Sequence, residues 1–182
     1  MSRIELIGVS GPVLSHEQRQ LIKGCVAVAV SRRYAPLVTG CAARPIPITP
    51  LGALFAQLAA ALEKGDVAVL ASGDPLFFGI GRSLIDRYGA ERVRVHPAMS
   101  SVQLACARFG QPWDNLAMVS LHGRPGDDVA GRVLRHQRVL LLTDEQNSPD
   151  RVAATLLAAP AGREPHARID TLRLRVAANL GR

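Results

Sequence analysis

The stretch from Asp66 to Gly89, DVAVLASGDPLFFGIGRSLIDRYG, constrains the fold more than any other part of the sequence. Residues 67–71 form a short apolar run between a charge and turn residues, which is typical of a parallel strand buried on both faces. Ser72-Gly73-Asp74 then predicts a tight turn. Asp74 is a good N-cap and the proline after it suits the first helical position, so we expect a helix over residues 75–88.

The turn Ser72-Gly73-Asp74 is a candidate ligand site. Ligands of open α/β sheets bind at the carboxyl ends of strands, where backbone N–H groups of a helix start point outward. Gly73 allows the backbone to approach a ligand closely, and Asp74 can accept hydrogen bonds from a hydroxyl or ammonium group. A plain capped turn, as found throughout α/β proteins, is the alternative, and the residues alone leave both interpretations open.

Four stretches of the chain resemble one family. Ser72 to Gly79, SGDPLFFG, resembles the SGDP-x-x-[YF]-G signature of the tetrapyrrole methylases, which are S-adenosylmethionine-dependent enzymes. Three further stretches resemble the branch that methylates carbon 5 of precorrin-6Y or cobalt-precorrin-7: PAMSSVQLACARFGQPW (97–113), VSLHGRP (119–125) and TDEQNSP (143–149). The resemblance implies the same S-adenosylmethionine-dependent methylation, in cobalamin biosynthesis.

The resemblance also implies an α/β fold of two lobes, with a mainly parallel sheet in the first lobe and a smaller mixed sheet in the second. We place the lobes at residues 1–112 and 113–182, because GQPWDN (110–115) is typical of a break between elements. Relatives continue with further strands, so we expect the second lobe to be C-terminally incomplete.

S-Adenosylmethionine is the cofactor that the resemblance implies, held between the lobes. The positions that match cofactor contacts of the family are Pro12, Ser72, Gly73, Asp74, Phe77, Ser100, Ser101 and His122. One of these regions departs from the family pattern. In the loop after the first strand, Ser10 and Val13 replace glycines of a G-x-G-P-G sequence, and serine adopts a left-handed conformation only at a cost.

Two arginines are candidate substrate-binding residues, because guanidinium groups match carboxylates and a corrin precursor carries several. Arg33 follows the second predicted strand, where a solvated loop is the alternative interpretation. Arg124 lies with His122 at the end of a later strand, and we expect both to face the Ser72-Gly73-Asp74 turn across the gap between lobes. No catalytic residue is certain, and His122 is the candidate for proton transfer.

The formal net charge of the 182 residues is +7, contributed mostly by arginine. Such a charge favours anionic partners, which include a polycarboxylate tetrapyrrole and RNA. An RNA ribose methyltransferase of the same fold is therefore an alternative. Aromatic residues are only 4% of the chain, whereas RNA-binding surfaces interleave aromatic and basic residues, so we expect no nucleic-acid partner. A non-catalytic remnant is the other alternative, suggested by the altered glycine loop.

The sequence shows no apolar run of transmembrane length and no signal-peptide pattern, which predicts a cytoplasmic protein without a membrane partner. The three cysteines are widely spaced without a C-x-x-C, so neither disulfides nor a metal site are expected. The resemblance further implies a homodimer and a partner that decarboxylates and methylates carbon 15.

The remaining elements are predicted from capping and periodicity. Ser15 and Gln18 form a capping box, as do Ser100 and Gln103, and each predicts a helix start. Further helices are predicted over residues 51–64, 127–136 and 148–158, and strands over 4–8, 26–30, 93–96, 117–121, 139–142 and 171–176. Prolines at 45, 47 and 50 predict an extended connection.

Overall fold

The computed structural model describes residues 1–122, 128–159 and 172–180. It contains two compact units, one from Met1 to Leu104 and one from Ala105 to Asn179. The division falls within a helix, whereas the sequence predicts the break after residue 112. Grouping by contacts does not test whether either part folds as a lobe, so the predicted lobe boundary stays a prediction.

The first unit contains a five-stranded sheet in which every pair is parallel. Its strands are β1 (Ile4–Val9), β2 (Ala27–Val30), β3 (Arg44–Pro47), β4 (Val67–Ser72) and β5 (Val93–His96). They lie in the order β3-β2-β4-β1-β5. β1 pairs with β4 along its whole length, from Ile4 opposite Val67 to Val9 opposite Ser72. The predicted parallel sheet is confirmed.

Helices cover both faces of this sheet. Those of the first unit are α1 (His16–Lys23), α2 (Leu51–Leu62) and α3 (Gly81–Tyr88), with 3-10 turns at Ala35–Val38 and Ala90–Arg92. The division between the units falls within α4 (Ser101–Phe109). Leu6 of β1 packs on the face that α2 and α3 cover, and Ile7 packs on the face that α1 covers. Because both faces are buried, the central strands β2 and β4 are apolar runs without polar alternation.

The two predicted capping boxes are present. The backbone N–H of Gln18 donates to Ser15 Oγ at 3.1 Å, and the Ser15 N–H donates to Gln18 Oε1 at 2.8 Å. Ser100 and Gln103 make the same pair of bonds at 2.8 and 3.2 Å. A capping box uses residues three apart, so the sequence alone is enough to locate these helix starts.

The prolines at 45 and 47 were predicted to lie in an extended connection, but they belong to the strand β3. Two of the four residues of this strand are prolines. The backbone N–H groups of Arg44 and Ile48 donate to carbonyl oxygens of residues 26 and 30, at 3.0 and 3.3 Å. Alternate residues therefore face β2, and Pro45 and Pro47 fall at positions whose nitrogen faces outward. An edge strand tolerates proline there, because no partner requires the missing N–H.

The predicted start of the helix after β4 is wrong, since α3 begins at Gly81 and not at Pro75. Phe78 has a φ of 52°, which lies outside the right-handed helical region. Asp74 Oδ1 accepts a hydrogen bond from the Leu76 N–H at 2.9 Å, which forms a local turn instead of a helix cap. Residues 75–80 are therefore a separate loop above the end of β4.

The second unit contains β6 (Ala117–Ser120), α5 (Val129–Leu134), β7 (Val139–Leu142) and α6 (Pro149–Leu157). A mixed sheet was predicted, but the two strands described here pair in parallel. The strand predicted over 171–176 is wrong for residues 172–176, which form no strand. Leu172, Leu174 and Val176 are about half exposed, so the described residues do not bury the apolar face that a strand would present. Among the helices in the described ranges, none is long and apolar enough to span a bilayer.

Candidate functional site

β1 and β4 are neighbours whose connections leave in opposite directions. The chain leaves β1 through α1 toward β2, which lies beyond β4, and leaves β4 through α3 toward β5, which lies beyond β1. Diverging connections open a crevice at the carboxyl ends of the two strands, and ligands of open parallel sheets bind at such points. We call this the switch-point crevice, formed by the loops after β1, β4 and β5.

Gly73 joins these three loops through its backbone. Its N–H donates to the Val9 carbonyl at 2.8 Å, and its own carbonyl accepts from the Ala98 N–H at 3.3 Å. Gly73 has a φ of 61°, and a Cβ there would stand 3.0 Å from the Cα of Ser100. Glycine is thus required both by the backbone conformation and by the close approach of the β5 loop. The result is a cradle of bare backbone at the centre of the crevice.

The Asp74 carboxylate is fixed at one side of this cradle. Its Oδ1 is held by the Leu76 N–H, and its Oδ2 makes no hydrogen bond to the described part of the chain. The residue is half-buried, while the preceding Ser72 is exposed and Gly73 is buried. A carboxylate oxygen and a serine hydroxyl therefore flank the cradle and can meet a polar ligand.

Tyr34 also reaches the switch-point crevice, although it is not among the site residues that the sequence predicts. The side chain is 6% exposed, and its hydroxyl lies 2.9 Å from Ser72 Oγ and 3.5 Å from the Val9 carbonyl oxygen. The exposed Arg33 places its guanidinium carbon 5.1 Å from the centre of the Tyr34 ring. The contact depends on β2 lying beside β4, so the strand order would have been the only signal for it.

The two serines at the start of α4 differ in what they can offer. Ser100 is buried, and its hydroxyl lies 3.2 Å from the Gln103 nitrogen and 3.1 Å from Gln103 Oε1, so the capping box engages it. Ser101 is exposed at the first position of the helix. Ser100 therefore shapes the loop after β5, and Ser101 is the one with an accessible side chain.

Exposed apolar side chains surround the crevice. Val13 follows β1, Leu76 and Phe78 follow β4, and Met99 follows β5; they are 71, 53, 52 and 57% exposed. The half-buried Phe77 packs edge-on against Phe78, with ring centres 4.8 Å apart. Apolar side chains gathered on loops of one edge are typical of a ligand or partner site. Pro12 is exposed on the loop after β1.

The second unit contributes one described candidate. His122 is exposed and lies two residues after the end of β6. Arg124 lies outside the described residues. The expectation that both face the Ser72-Gly73-Asp74 turn concerns the two units together and stays a prediction.

A shallow basic cavity of about 340 Å³ lies in the second unit, lined by Asn115, Ala117, Arg135, His136, Gln137 and Arg138. The Arg138 guanidinium donates to the Asn115 side chain at 2.6 Å and to the Pro112 carbonyl at 2.9 Å. It therefore holds the segment before β6 in place. This cavity lies at the amino ends of β6 and β7, opposite to the ends at which parallel strands bind ligands.

The family model of the tetrapyrrole (corrin/porphyrin) methylases matches residues 16–172. The chain belongs to this family. A cobalt-precorrin-7 C(5)-methyltransferase of Salmonella typhimurium is 39% identical over 112 residues, which is 62% of this chain and 54% of that protein. A decarboxylating precorrin-6Y C(5,15)-methyltransferase of Sinorhizobium sp. is 36% identical over 160 residues, 85% of this chain and 37% of that protein. The matches thus span about half, or less, of these curated relatives.

Solved structures of tetrapyrrole methylases have the same fold. A precorrin-6Y methylase of cobalamin biosynthesis from Archaeoglobus fulgidus superposes with a TM-score of 0.63 at 23% identity, covering 83% of this chain and 78% of that one. A uroporphyrin-III C-methyl transferase from Thermus thermophilus, complexed with S-adenyl homocysteine, gives 0.62 at 22% identity, covering 86 and 76%. The predicted α/β fold of this family is confirmed.

Proposed function

We propose that this tetrapyrrole methylase transfers a methyl group from S-adenosylmethionine to carbon 5 of precorrin-6Y or cobalt-precorrin-7, in cobalamin biosynthesis. Membership of the family and the names of the two relatives support the proposal. The structural observation that supports it most is the cradle at Gly73, where the loops after β1, β4 and β5 meet.

The residues of the switch-point crevice fit S-adenosylmethionine, which when bound supplies an electrophilic methyl group on a sulfonium. Gly73 lets the loops after β1, β4 and β5 meet without an intervening side chain, because a Cβ there would stand only 3.0 Å from the Cα of Ser100. Asp74 Oδ2 can accept a hydrogen bond from a hydroxyl or ammonium group, and Leu76 and Met99 offer apolar surface to a nucleoside. The structure of the Thermus thermophilus relative contains S-adenyl homocysteine, which supports this cofactor class.

Each predicted site residue has a place in this proposal. The Gly73 cradle and Asp74 bind the cofactor, and Ser100 acts through the cap that shapes the β5 loop. Arg33 and Arg124 are proposed to meet carboxylates of the tetrapyrrole. The other proposed cofactor contacts are Pro12, Ser72, Phe77, Ser101 and His122, and His122 is also the candidate for proton transfer.

Alignment is the main task of the protein in such a reaction. The meso carbon of a tetrapyrrole is enamine-like and already nucleophilic, so no strong base is needed to begin the attack. Holding two reactants in a near-attack geometry lowers a barrier by about 7–11 kcal/mol in the best cases. We therefore expect substitutions in the crevice to act on affinity and positioning rather than to remove a single essential acid or base.

Calorimetric titration with S-adenosylmethionine and S-adenosylhomocysteine tests the cofactor. Asp74→Asn keeps an acceptor for the Leu76 N–H but removes the charge, and we expect binding to weaken by roughly 5- to 100-fold, the loss of one charge-assisted hydrogen bond. Asp86→Asn is the matched control, since Asp86 is exposed on α3 and, among the described residues, pairs with Arg82 alone, at 3.8 Å. Equal affinity of the wild type and a folded Asp74→Asn variant would remove Asp74 from the site.

Transfer of a labelled methyl group to precorrin-6Y and to cobalt-precorrin-7, assayed separately, tests the substrate. The net charge of +7 is the observation that favours RNA as the alternative substrate. Tight, sequence-selective RNA binding near physiological salt would support that alternative, whereas non-specific binding falls steeply with added salt. Cofactor binding without transfer to any of these would favour a non-catalytic remnant. The homodimer, the carbon-15-methylating partner and the cytoplasmic location stay predictions.

A further inference from the structure

Tyr34 lies beneath the switch-point crevice because of the strand order. β2 is the neighbour of β4, so the chain that leaves β2 passes beside the end of β4. The Tyr34 N–H donates to the Ser31 carbonyl at 3.0 Å, which turns the chain into the 3-10 turn that follows. The ring is buried with Val9 and Val30 in the core of that face. Only the hydroxyl end reaches the crevice.

The Tyr34 hydroxyl has one proton and two oxygen atoms within reach. The Val9 carbonyl lies 3.5 Å away and already accepts the Gly73 N–H at 2.8 Å. Ser72 Oγ lies 2.9 Å away, close to the usual O–H···O distance. Ser72 is the nearer of the two acceptors, and when Tyr34 donates to it the Ser72 proton is free. Ser72 is exposed, and its hydroxyl makes no other hydrogen bond to the described part of the chain.

We infer that Tyr34 is a positioning residue, which holds the Ser72 hydroxyl as a hydrogen-bond donor toward an acceptor oxygen of the bound cofactor. The inference rests on the proposed function, because the ligand of the crevice is the proposed cofactor. The acceptor is either a carboxylate oxygen of the amino-acid end or an oxygen of the ribose. Both are hydrogen-bond acceptors, and the experiment below separates them.

The ring of Tyr34 also supports Arg33, whose guanidinium stacks over it. A cation over an aromatic face is held by the negative potential of the ring. Tyr34→Phe removes the hydroxyl and keeps a ring for this contact, whereas Tyr34→Leu removes both. In assays of methyl transfer, Tyr34→Leu should therefore raise the KM for the tetrapyrrole more than Tyr34→Phe does.

The test is calorimetric titration of S-adenosylhomocysteine into the wild type, Tyr34→Phe, Ser72→Ala and the double variant. We expect each single variant to bind about 3- to 10-fold more weakly if a neutral ribose oxygen is the acceptor, and to lose more if the carboxylate is. The double variant should bind no more weakly than Ser72→Ala, because Tyr34 acts through Ser72. Tyr88→Phe is the matched control, since Tyr88 donates to the Phe55 carbonyl at 3.1 Å in the same unit. It should lower the melting temperature without changing the affinity.

A parallel titration with 5′-methylthioadenosine locates the acceptor. A weaker affinity of Tyr34→Phe for both ligands supports a ribose oxygen, and a change for S-adenosylhomocysteine alone supports the carboxylate. Wild-type affinity in Tyr34→Phe, or losses that add in the double variant, would overturn the inference while leaving the proposed function intact. No binding to the wild type would instead contradict the proposed function itself.

Discussion

The carbonyl oxygen of Gly73 packs directly against the Cα of Gly8, in the space where a side chain at residue 8 would begin. A Cβ on Gly8 would overlap this oxygen and lie 2.6 Å from the Ala98 nitrogen. Gly8→Ala should therefore lower the free energy of unfolding by about 1–3 kcal/mol and weaken cofactor binding, because the cradle must shift. Urea unfolding with calorimetry measures both effects.

Gly11→Ala is the control for this prediction. It lies in the loop after β1, and a Cβ there meets nothing within 4 Å. Its free energy of unfolding should stay within about 0.5 kcal/mol of the wild type. Equal unfolding midpoints for Gly8→Ala and Gly11→Ala would show that the loops do not need the close contact.

A second prediction concerns Glu5 and His96, which meet across the β1–β5 pair. His96 Nε2 lies 2.5 Å from a Glu5 carboxylate oxygen, and the two side chains are 22 and 10% exposed. His96→Ala leaves a carboxylate buried without its partner, so we expect a loss of about 3–5 kcal/mol in the free energy of unfolding. The double variant Glu5→Leu/His96→Leu should recover most of this, since apolar side chains replace both buried groups. A loss of free energy of unfolding in the double variant equal to the sum of the losses in the two single variants would contradict the pairing.

The exposed pair of Arg82 and Asp86 is the reference for that experiment. The two groups are 3.8 Å apart, and their side chains are 90 and 70% exposed. Arg82→Ala should change the free energy of unfolding by less than about 1 kcal/mol, because water and salt screen exposed charges.

A third prediction concerns Phe78, whose φ of 52° is costly for a bulky side chain. Phe78→Gly and Phe78→Ala both remove the ring, but only glycine adopts this conformation freely. We expect Phe78→Gly to be more stable than Phe78→Ala by about 0.5–1 kcal/mol, the cost of the left-handed conformation less the extra flexibility of unfolded glycine.

At Leu76 in the same loop, the order of the two variants should reverse. Leu76 is as exposed as Phe78 but has no positive φ, so alanine should there be the more stable replacement. Thermal unfolding of the four variants gives the comparison. The same order at both positions would contradict the strained conformation of Phe78.

A fourth prediction follows from the buried thiol of Cys25. Burial, reinforced by the negative charges of Glu5 and Asp66, raises the pKa of Cys25 from 9.0 to about 12. Between these values the unfolded chain has released a proton that the folded chain retains, so stability falls as the pH rises. Cys25→Ala lacks this effect. The stability advantage of the wild type over Cys25→Ala should shrink by about 1.4 kcal/mol between pH 8 and pH 10.

Urea unfolding at pH 8, 9 and 10 checks this prediction. Cys41→Ala, at a partly exposed thiol, serves as the parallel variant for general effects of alkali. A wild-type advantage over Cys25→Ala that stays constant with pH would show that the folded chain does not hold the thiol proton.

The elements that the sequence predicts correctly depend on neighbouring residues. The helix starts at Ser15 and Ser100 depend on a partner three residues away, and the strand over 67–71 depends on its own apolar run. Such signals do not change with the rest of the fold. The turn at Ser72-Gly73-Asp74 was predicted for the same reason, and its role as a ligand site stays a prediction.

Two features of the crevice are not predicted from the sequence. Asp74 followed by proline satisfies the rules for a helix start, yet residues 75–80 form a loop in which Phe78 has a positive φ. Nothing near Tyr34 in the sequence indicates that its hydroxyl meets Ser72, since that contact exists only once β2 lies beside β4. Tertiary contacts therefore set the details of the crevice, and local patterns set its position.

The prolines of β3 determine how this sheet ends. The outward positions on that strand are Pro45 and Pro47, so the free edge presents carbonyl oxygens without the N–H donors that a further strand would pair with. A strand of another chain therefore cannot form a complete set of backbone hydrogen bonds with this edge. The same two prolines that make β3 hard to predict from the sequence thus protect the folded sheet from aggregation through its edge.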